Sequence, residues 1–298
     1  MPTVYTVGVD IGATKIVAGL VRGNKVVKTE RLPTYGGKKP GKSATLTTLR
    51  QAIDAVWHPK VKGIGLGLAG TTDPDRGFFY RGANYPKSFR NIYVARELKS
   101  YRVPIAIDND VHCFALGEAL FGAGRGHRHV FGMTLGTGLG GALVIDGQVY
   151  RGRDNVAGEI GHTTVAMNTS QAVCGMGGIG HLESFATGTG LARMIADRYS
   201  KPFPTEELAK RAAAGDRKAA EVIDIAGRAF AVGCANVVQT LNPDIIIVGG
   251  GLARMQALWK VMRREFRGLL PYPQVRSTPV VRSKLSHEAG VLGAANMF

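Results

Sequence analysis

Hydrophobic and polar positions along the chain fall into runs of two different periods. Short, nearly continuous apolar stretches occupy residues 4–9, 15–21, 63–69, 103–107, 129–134, 141–145 and 244–248, and they predict buried strands. Between several of them the period becomes that of a helix. Ser43 can cap a helix running to Trp57, with Leu46, Leu49, Ile53 and Val56 or Trp57 on one side. Residues 91–101, 110–121, 219–241 and 288–297 predict further helices, the long one followed by Pro243. Lys260, Arg263, Arg264 and Arg267 interleave with Trp259, Val261, Met262 and Phe266, an amphipathic helix with a basic outer face. Strands alternating with helices predict an α/β fold with mixed sheets. The Gly/Arg/His stretch over 122–129 reads as a connector between two lobes.

The pattern echoes itself. At an offset of 124, Gly12 aligns with Gly136, Ala13 with Thr137, Ala18 with Ala142 and Gly23 with Gly147. In each copy a strand enters a small-residue turn, a strand leaves it, and a glycine turn precedes a third short strand. Glycine-rich hairpins can resemble one another by chance over so few positions. Read as a duplication, the echo predicts two related lobes whose tight turns face one cleft. The expected lobes are residues 1–118, joined by the C-terminal helix 288–298, and residues 119–287.

Charge changes this picture little. Of 298 residues, 38 are Lys or Arg and 22 are Asp or Glu, a formal net charge of +16. Such a chain attracts polyanions, but the basic residues are dispersed, their densest stretch (254–284) includes the amphipathic helix, and no nucleic-acid motif accompanies them. Nucleic acid is therefore not an expected partner. No apolar run approaches the roughly 18 residues of a membrane span, and the opening residues lack a signal-peptide pattern. Cys113, Cys174 and Cys234 are too few for a disulfide framework. A soluble, cytoplasmic enzyme without a membrane partner is expected.

Candidate chemistry gathers at the turns. In Asp10-Ile11-Gly12-Ala13-Thr14-Lys15, small residues let backbone N–H groups approach a phosphate, Thr14 adds a hydroxyl, and Asp10 could hold hydrated Mg²⁺. Gly136, Thr137 and Gly138 offer a second such nest. Gly249, Gly250 and Gly251, after a buried strand, carry no side chain to keep a nucleotide away. Each turn taken alone could equally be strand-end geometry. Neither a Walker A loop nor a strand leading into GxGxxG at a helix start is present. Asp108-Asn109-Asp110 closes a strand and opens a helix: Asp110 is the candidate general base for a sugar hydroxyl, and Asn109 could bind a neighbouring one. A helix cap is the plainer role for this segment. Glu159 and His162 in GEIGH (158–162), with Glu183, supply donors and acceptors for vicinal hydroxyls.

The ordered set DIGATK (10–15), Asn84-Tyr85-Pro86, DND (108–110), LGTGLGG (135–141), GEIGH (158–162), Leu182-Glu183 and GGG (249–251) resembles the ROK family of sugar kinases. That resemblance implies a two-lobed, actin-like ATPase (ribonuclease H-like) fold with duplicated mixed sheets and a central cleft. It implies transfer of the γ-phosphoryl of ATP, with Mg²⁺, to the 6-hydroxyl of glucose or a close relative, and a homodimer. By the same resemblance Asp110 is the catalytic base, and Asn84, Asn109, Glu159, His162 and Glu183 contact the sugar. Asp10, Gly12, Ala13, Thr14, Lys15, Gly136, Thr137, Gly138 and the three glycines 249–251 would hold the nucleotide. IDNDVHCFALGEA and HEAGVLGAA look most like the fructokinase and N-acetylhexosamine kinase branches, while glucokinases share the remaining motifs. The expected activity is glucokinase-type, with N-acetylglucosamine or N-acetylmannosamine kinase and fructokinase as alternatives. Polyphosphate is an alternative donor, and a sugar-sensing regulator without kinase activity is a reading from another class. In one segment the chain departs from the family. A CxCGxxGC run usually joins the GEIGH histidine around structural zinc; here Ala172 replaces the first cysteine and His181 aligns best with the third. His162, Cys174 and His181 remain as possible zinc ligands, where a closed site wants four.

Overall fold

The computed structural model describes residues 4–12, 14–83, 85–167 and 172–298. β1 (Tyr5–Ile11), β2 (Lys15–Arg22) and β3 (Lys25–Pro33) form an antiparallel meander. After α1 (Lys42–Val56), β4 (Val61–Leu68) returns parallel to β1. A small hairpin, β5 (Thr71–Asp73) and β6 (Phe78–Arg81), and the single turn α2 (Val94–Glu97) lead to β7 (Ile105–Asn109), parallel to β4, and then to α3 (Asp110–Phe121). β8 (His129–Leu135), β9 (Leu139–Ile145) and β10 (Gln148–Tyr150) follow. After α4 (Gly188–Arg198), α5 (Leu208–Ala213) and α6 (Arg217–Leu241), β11 (Ile245–Gly249) pairs parallel to β8. α7 (Gln256–Phe266) precedes β12 (Val280–Arg282), which is parallel to β11, and α8 (Ala289–Ala295) comes last.

The two five-stranded sheets have equivalent orders, β3-β2-β1-β4-β7 and β10-β9-β8-β11-β12. The 124-residue offset holds at the strand boundaries: β1 and β8 span 5–11 and 129–135, and β2 and β9 begin at 15 and 139. The sequence echo is thus a duplicated βββ-crossover unit.

By contacts the chain forms two compact units. The first comprises Met1–Arg128, Ala142–Ala157 and Ser283–Phe298. On one sheet face Val7, Val9 and Ile11 pack with the α1 residues Leu46, Leu49, Ile53 and Val56, the face that periodicity predicts. Gly8, between Val7 and Val9, faces the other way and has no side chain. Gly8 pairs with Gly19 on one side and Gly65 on the other, forming a trough one backbone deep. α8 lies in it: a Cβ on Gly8 would run into the Val291 carbonyl, and one on Gly65 into that of Ala294. Glu118 of α3 is buried, and its carboxylate accepts hydrogen bonds from the Ser283 hydroxyl (2.6 Å) and the N–H groups of Leu285 (2.8 Å) and Ala123 (2.9 Å). A buried carboxylate is tolerated only with such partners, and these tie α3 to the segment leading into α8.

The second unit comprises His129–Gly141 and Gly158–Arg282. α6 and α7 pack through Phe230 and Trp259, whose rings meet edge to face at 5.5 Å. Trp259 donates its indole N–H to the Ala253 carbonyl at 2.7 Å, so this buried aromatic leaves no polar atom unpaired. Lys260, Arg263, Arg264 and Arg267 are exposed, as the amphipathic pattern predicts. Among the described residues no helix is long and apolar enough to cross a membrane.

Three local expectations are corrected. Residues 91–101 are not one helix: Asn91 and Arg102 adopt left-handed φ (52° and 55°), and only α2 and a 3₁₀ turn over Lys99–Tyr101 form between them. Ser43 is not the cap of α1, which starts at Lys42 after Gly41 with no side-chain cap bond. The strand expected at 103–107 is β7, shifted to Ile105–Asn109 because Asn109 still pairs with Leu68.

The trough gives a direct expectation. Gly65→Ala forces a methyl against the Ala294 carbonyl and should lower unfolding free energy by about 1–3 kcal/mol or more, as overpacking does. Urea unfolding followed by circular dichroism measures this, and an unchanged midpoint would contradict the close approach.

Candidate active site

β7 delivers Asp108-Asn109-Asp110 to the N-terminus of α3. Asn109 is the helix cap: its Oδ1 accepts the N–H groups of Val111 (2.7 Å) and His112 (3.4 Å), and its Nδ2 donates to the Gly70 carbonyl (2.9 Å). Asp110, the first helical residue, is half-buried and accepts the Val111 N–H on Oδ1 at 3.0 Å. Asp108 is wholly buried. Burial opposes its ionisation, but the hydrogen bond and charge from His112, the Arg151 guanidinium and the Asn109 N–H outweigh this and hold its carboxyl below the usual carboxylate range.

Asp10 lies on the neighbouring part of the same sheet, since Gly67 pairs with Asp10 on β1 and with Asp108 on β7. A Cβ on Gly67 would press on the Asp110 Cα at 3.3 Å, so this strand position must stay small for α3 to start where it does. Burial pushes the Asp10 carboxyl above its ordinary range, with the Lys15 ammonium opposing the shift. A divalent cation beside it would favour the ionised form, so Asp10 fits a Mg²⁺ role chemically. The β1–β2 turn is tied down: the Gly12 N–H donates to the Lys15 carbonyl (2.9 Å), the Thr34 hydroxyl donates to the Gly12 carbonyl (2.6 Å), and Thr14 and Lys15 are exposed. Tyr85 is buried and donates its hydroxyl proton to the Ile11 carbonyl. Burial, then the Asp110 and Asp10 charges, push that phenol well up and keep it protonated. Ala13 and Asn84 lie outside the described residues.

In the second unit the turn between β8 and β9 is closed by the Gly136 N–H donating to the Gly138 carbonyl at 3.0 Å. The start of α4 braces it: the Gly188 N–H donates to the Gly136 carbonyl (2.8 Å) and the Thr189 hydroxyl to that of Thr137 (2.9 Å). Glu159, His162 and Glu183 converge. His162 stands between the two carboxylates, with Nε2 4.0 Å from Glu159 and Nδ1 3.7 Å from Glu183. The three glycines after β11 differ in what they do. Gly250 has φ +89°, and a Cβ there would enter the Leu135 carbonyl; Gly251 has helical dihedrals, and a Cβ there meets nothing within 4 Å.

His162, Cys174 and His181 also come together, their donor atoms all within 4.8 Å of one another. Cys174 Sγ lies 3.8 Å from His162 Nδ1 and 3.4 Å from His181 Nδ1. Tetrahedral zinc with ordinary bond lengths sets sulfur and nitrogen about 3.5 Å apart, so the spacing fits. Cys174 Sγ further accepts the N–H groups of Met176 (3.4 Å) and Gly178 (3.3 Å). No fourth His, Cys, Asp or Glu joins this group among the described residues. The donor set fits zinc at three positions.

Sequence reasoning did not single out Arg151, His112, Thr34 or the Tyr85 hydroxyl. Arg151, Thr34 and Tyr85 act through contacts distant in the chain that no local spacing encodes, whereas His112 meets Asp108 four residues away. Two expectations follow from this geometry. Gly250→Ala should destabilise the second unit, whereas Gly251→Ala should leave the thermal midpoint unchanged, both read by differential scanning calorimetry. Cys174→Ser should lower zinc affinity by tenfold or more, checked by titrating the purified protein with zinc against a chromophoric chelator.

The ROK family profile matches residues 6–298. The chain is 32% identical over 317 residues to a glucokinase of Thermotoga maritima, covering 100% of this chain and 98% of that one. It is 31% identical over 300 residues to an N-acetyl-D-glucosamine kinase of Photobacterium profundum, covering 97% of each. A crystal structure of a ROK family glucokinase from Streptomyces griseus, in complex with glucose and AMPPNP, matches with a TM-score of 0.81 at 29% identity, covering 98% of both chains. The fold is the actin-like ATPase fold of these kinases. With its motifs in order and the family matched from the first strand to the last residue, the chain belongs to the ROK family.

Proposed function

We propose that this protein is an ATP-dependent hexose kinase of the glucokinase type, transferring the γ-phosphoryl group to the 6-hydroxyl of the sugar. The observation that carries the reading is Asp110, a half-buried carboxylate at the first position of α3, on a chain similar throughout its length to sugar kinases. Asp110 accepts the hydroxyl proton as that oxygen bonds to the γ-phosphorus; the bond from phosphorus to the bridging oxygen breaks and ADP leaves. The protein's contribution is positioning and charge neutralisation.

The turns at 12–15 and 136–138 offer backbone N–H groups and the Thr14 and Thr137 side chains to phosphate, and Gly251 leaves space for the nucleotide. Asp10 would hold Mg²⁺, which would supply positive charge to the phosphates. Glu159, His162 and Glu183 offer hydrogen-bond partners to sugar hydroxyls, with Asn109 and Asn84 assigned the same role by their motifs. His162, Cys174 and His181 would hold zinc, a structural tie for the 162–181 segment. N-acetylglucosamine is a competing substrate, because the relatives named for glucose and for N-acetylglucosamine are nearly equally similar.

A panel of glucose, N-acetylglucosamine, N-acetylmannosamine and fructose, each with ATP and with polyphosphate, tests this assignment by coupled detection of the sugar phosphate. Glucose with ATP is expected to give the highest kcat/KM. Asp110→Asn should lower kcat by about 10²–10⁴ with sugar binding retained, the loss expected of a general base. Near-normal turnover in that variant would remove Asp110 from the mechanism.

A further inference from the structure

Asp108 is not part of the proposed chemistry, yet its buried carboxylate is bonded through both oxygens. Oδ1 accepts the Asn109 N–H and the Nδ1–H of His112, both at 2.7 Å. Oδ2 accepts the Arg151 Nε–H at 2.8 Å and pairs with Nη2 of the same guanidinium at 2.7 Å. An ionised carboxylate only accepts, so His112 carries its proton on Nδ1. Asp108 and His112 are buried, whereas the Arg151 side chain remains 35% exposed. Arg151 directly follows β10 and reaches a residue 43 positions earlier.

Resting on the kinase reading above, we propose that Arg151 is a positioning residue for Asp110, acting through Asp108. The guanidinium fork fixes the rotation of the Asp108 carboxylate. The other oxygen of that carboxylate fixes the Asn109 N–H, and Asn109 in turn caps α3. Asp110 is the next residue and inherits this orientation. Charge reinforces the geometry. Asp10, Asp108 and Asp110 all act on the Cys113 thiol beneath them, which burial and then these three charges push well up, while Arg151 opposes them. Arg151 and His112 are the groups bonded to Asp108 from outside its own segment, and of the two Arg151 carries a permanent charge. Without Arg151 the carboxylate keeps an imidazole and one N–H, loses its hydrogen bond and ion pair to the guanidinium, and is free to rotate. A misplacement of the order of 1 Å at a reacting group costs about 10²-fold in rate.

The test compares Arg151→Met, Arg151→Lys and Asp110→Asn with the parent protein. Arg151→Met should lower kcat by about 30-fold or more, while KM for hexose and for ATP each move less than about threefold. Arg151→Lys keeps a charge but not the fork, and should fall between the parent and Arg151→Met. Guanidinium ion at a non-denaturing concentration should restore part of the Arg151→Met rate and none of the Asp110→Asn rate. Circular dichroism gives the folded fraction of each variant. The inference is overturned, with the kinase reading intact, if Asp110→Asn is inactive but Arg151→Met turns over within about twofold of the parent. It is equally overturned if the rates of both Arg151 variants fall only in proportion to their folded fraction. A parent protein that phosphorylates no hexose overturns both readings.

Discussion

Contact between the α8 backbone and the first sheet sets the position of the chemical groups in the first unit. A helix ordinarily stands off a sheet by the length of two side chains. Here Gly8 and Gly65 remove one of those layers, and Val291 and Ala294 present carbonyls to the bare strands. α3 rests on α8 just as closely, since a Cβ on Gly293 would meet the Cys113 carbonyl and one on Gly117 that of Ala289. The start of α3 is therefore fixed by main chain against main chain, with little side-chain freedom between. Gly67 continues the same economy beneath Asp110, and Asp10 lies beside Gly290 on the same face.

Buried acids on this framework divide by how their charge is met. Glu118 accepts from the distant Ser283–Leu285 segment, and Asp108 from its neighbours Asn109 and His112 and from the distant Arg151. Asp10 is half-buried, and desolvation pushes its carboxyl up against the opposing Lys15 charge. In Asp108-Asn109-Asp110 the first residue is anchored by His112 and Arg151, the second caps α3 and the third opens the helix.

Much of this architecture was legible in the sequence because it is local. Strand periodicity, the 124-residue echo and the apolar side of α1 all depend on near neighbours, and they reappear with boundaries shifted by only a few residues. The convergence of Glu159, His162 and Glu183 was also foreshadowed, since two of them share one short motif and the third follows the loop that returns to it. The helix expected at 91–101 is reduced to α2 and a 3₁₀ turn between left-handed Asn91 and Arg102, and apolar spacing does not report backbone sign. Arg151 was invisible for a different reason. QVYRGRDN looks like any polar loop, and only the folded hairpin shows that one of its two arginines enters the interior while Arg153 pairs with Asp154 at the surface.

The place of α8 in the chain bears on how the molecule is made. The trough in the first sheet is assembled from residues that precede the second unit in the chain, but its occupant follows all of that unit. Until α8 has been synthesised, β1 and β4 present bare glycine backbone and the face of α3 that meets α8 lacks its partner. The first unit therefore cannot reach its final packing before the whole of the second unit has been made.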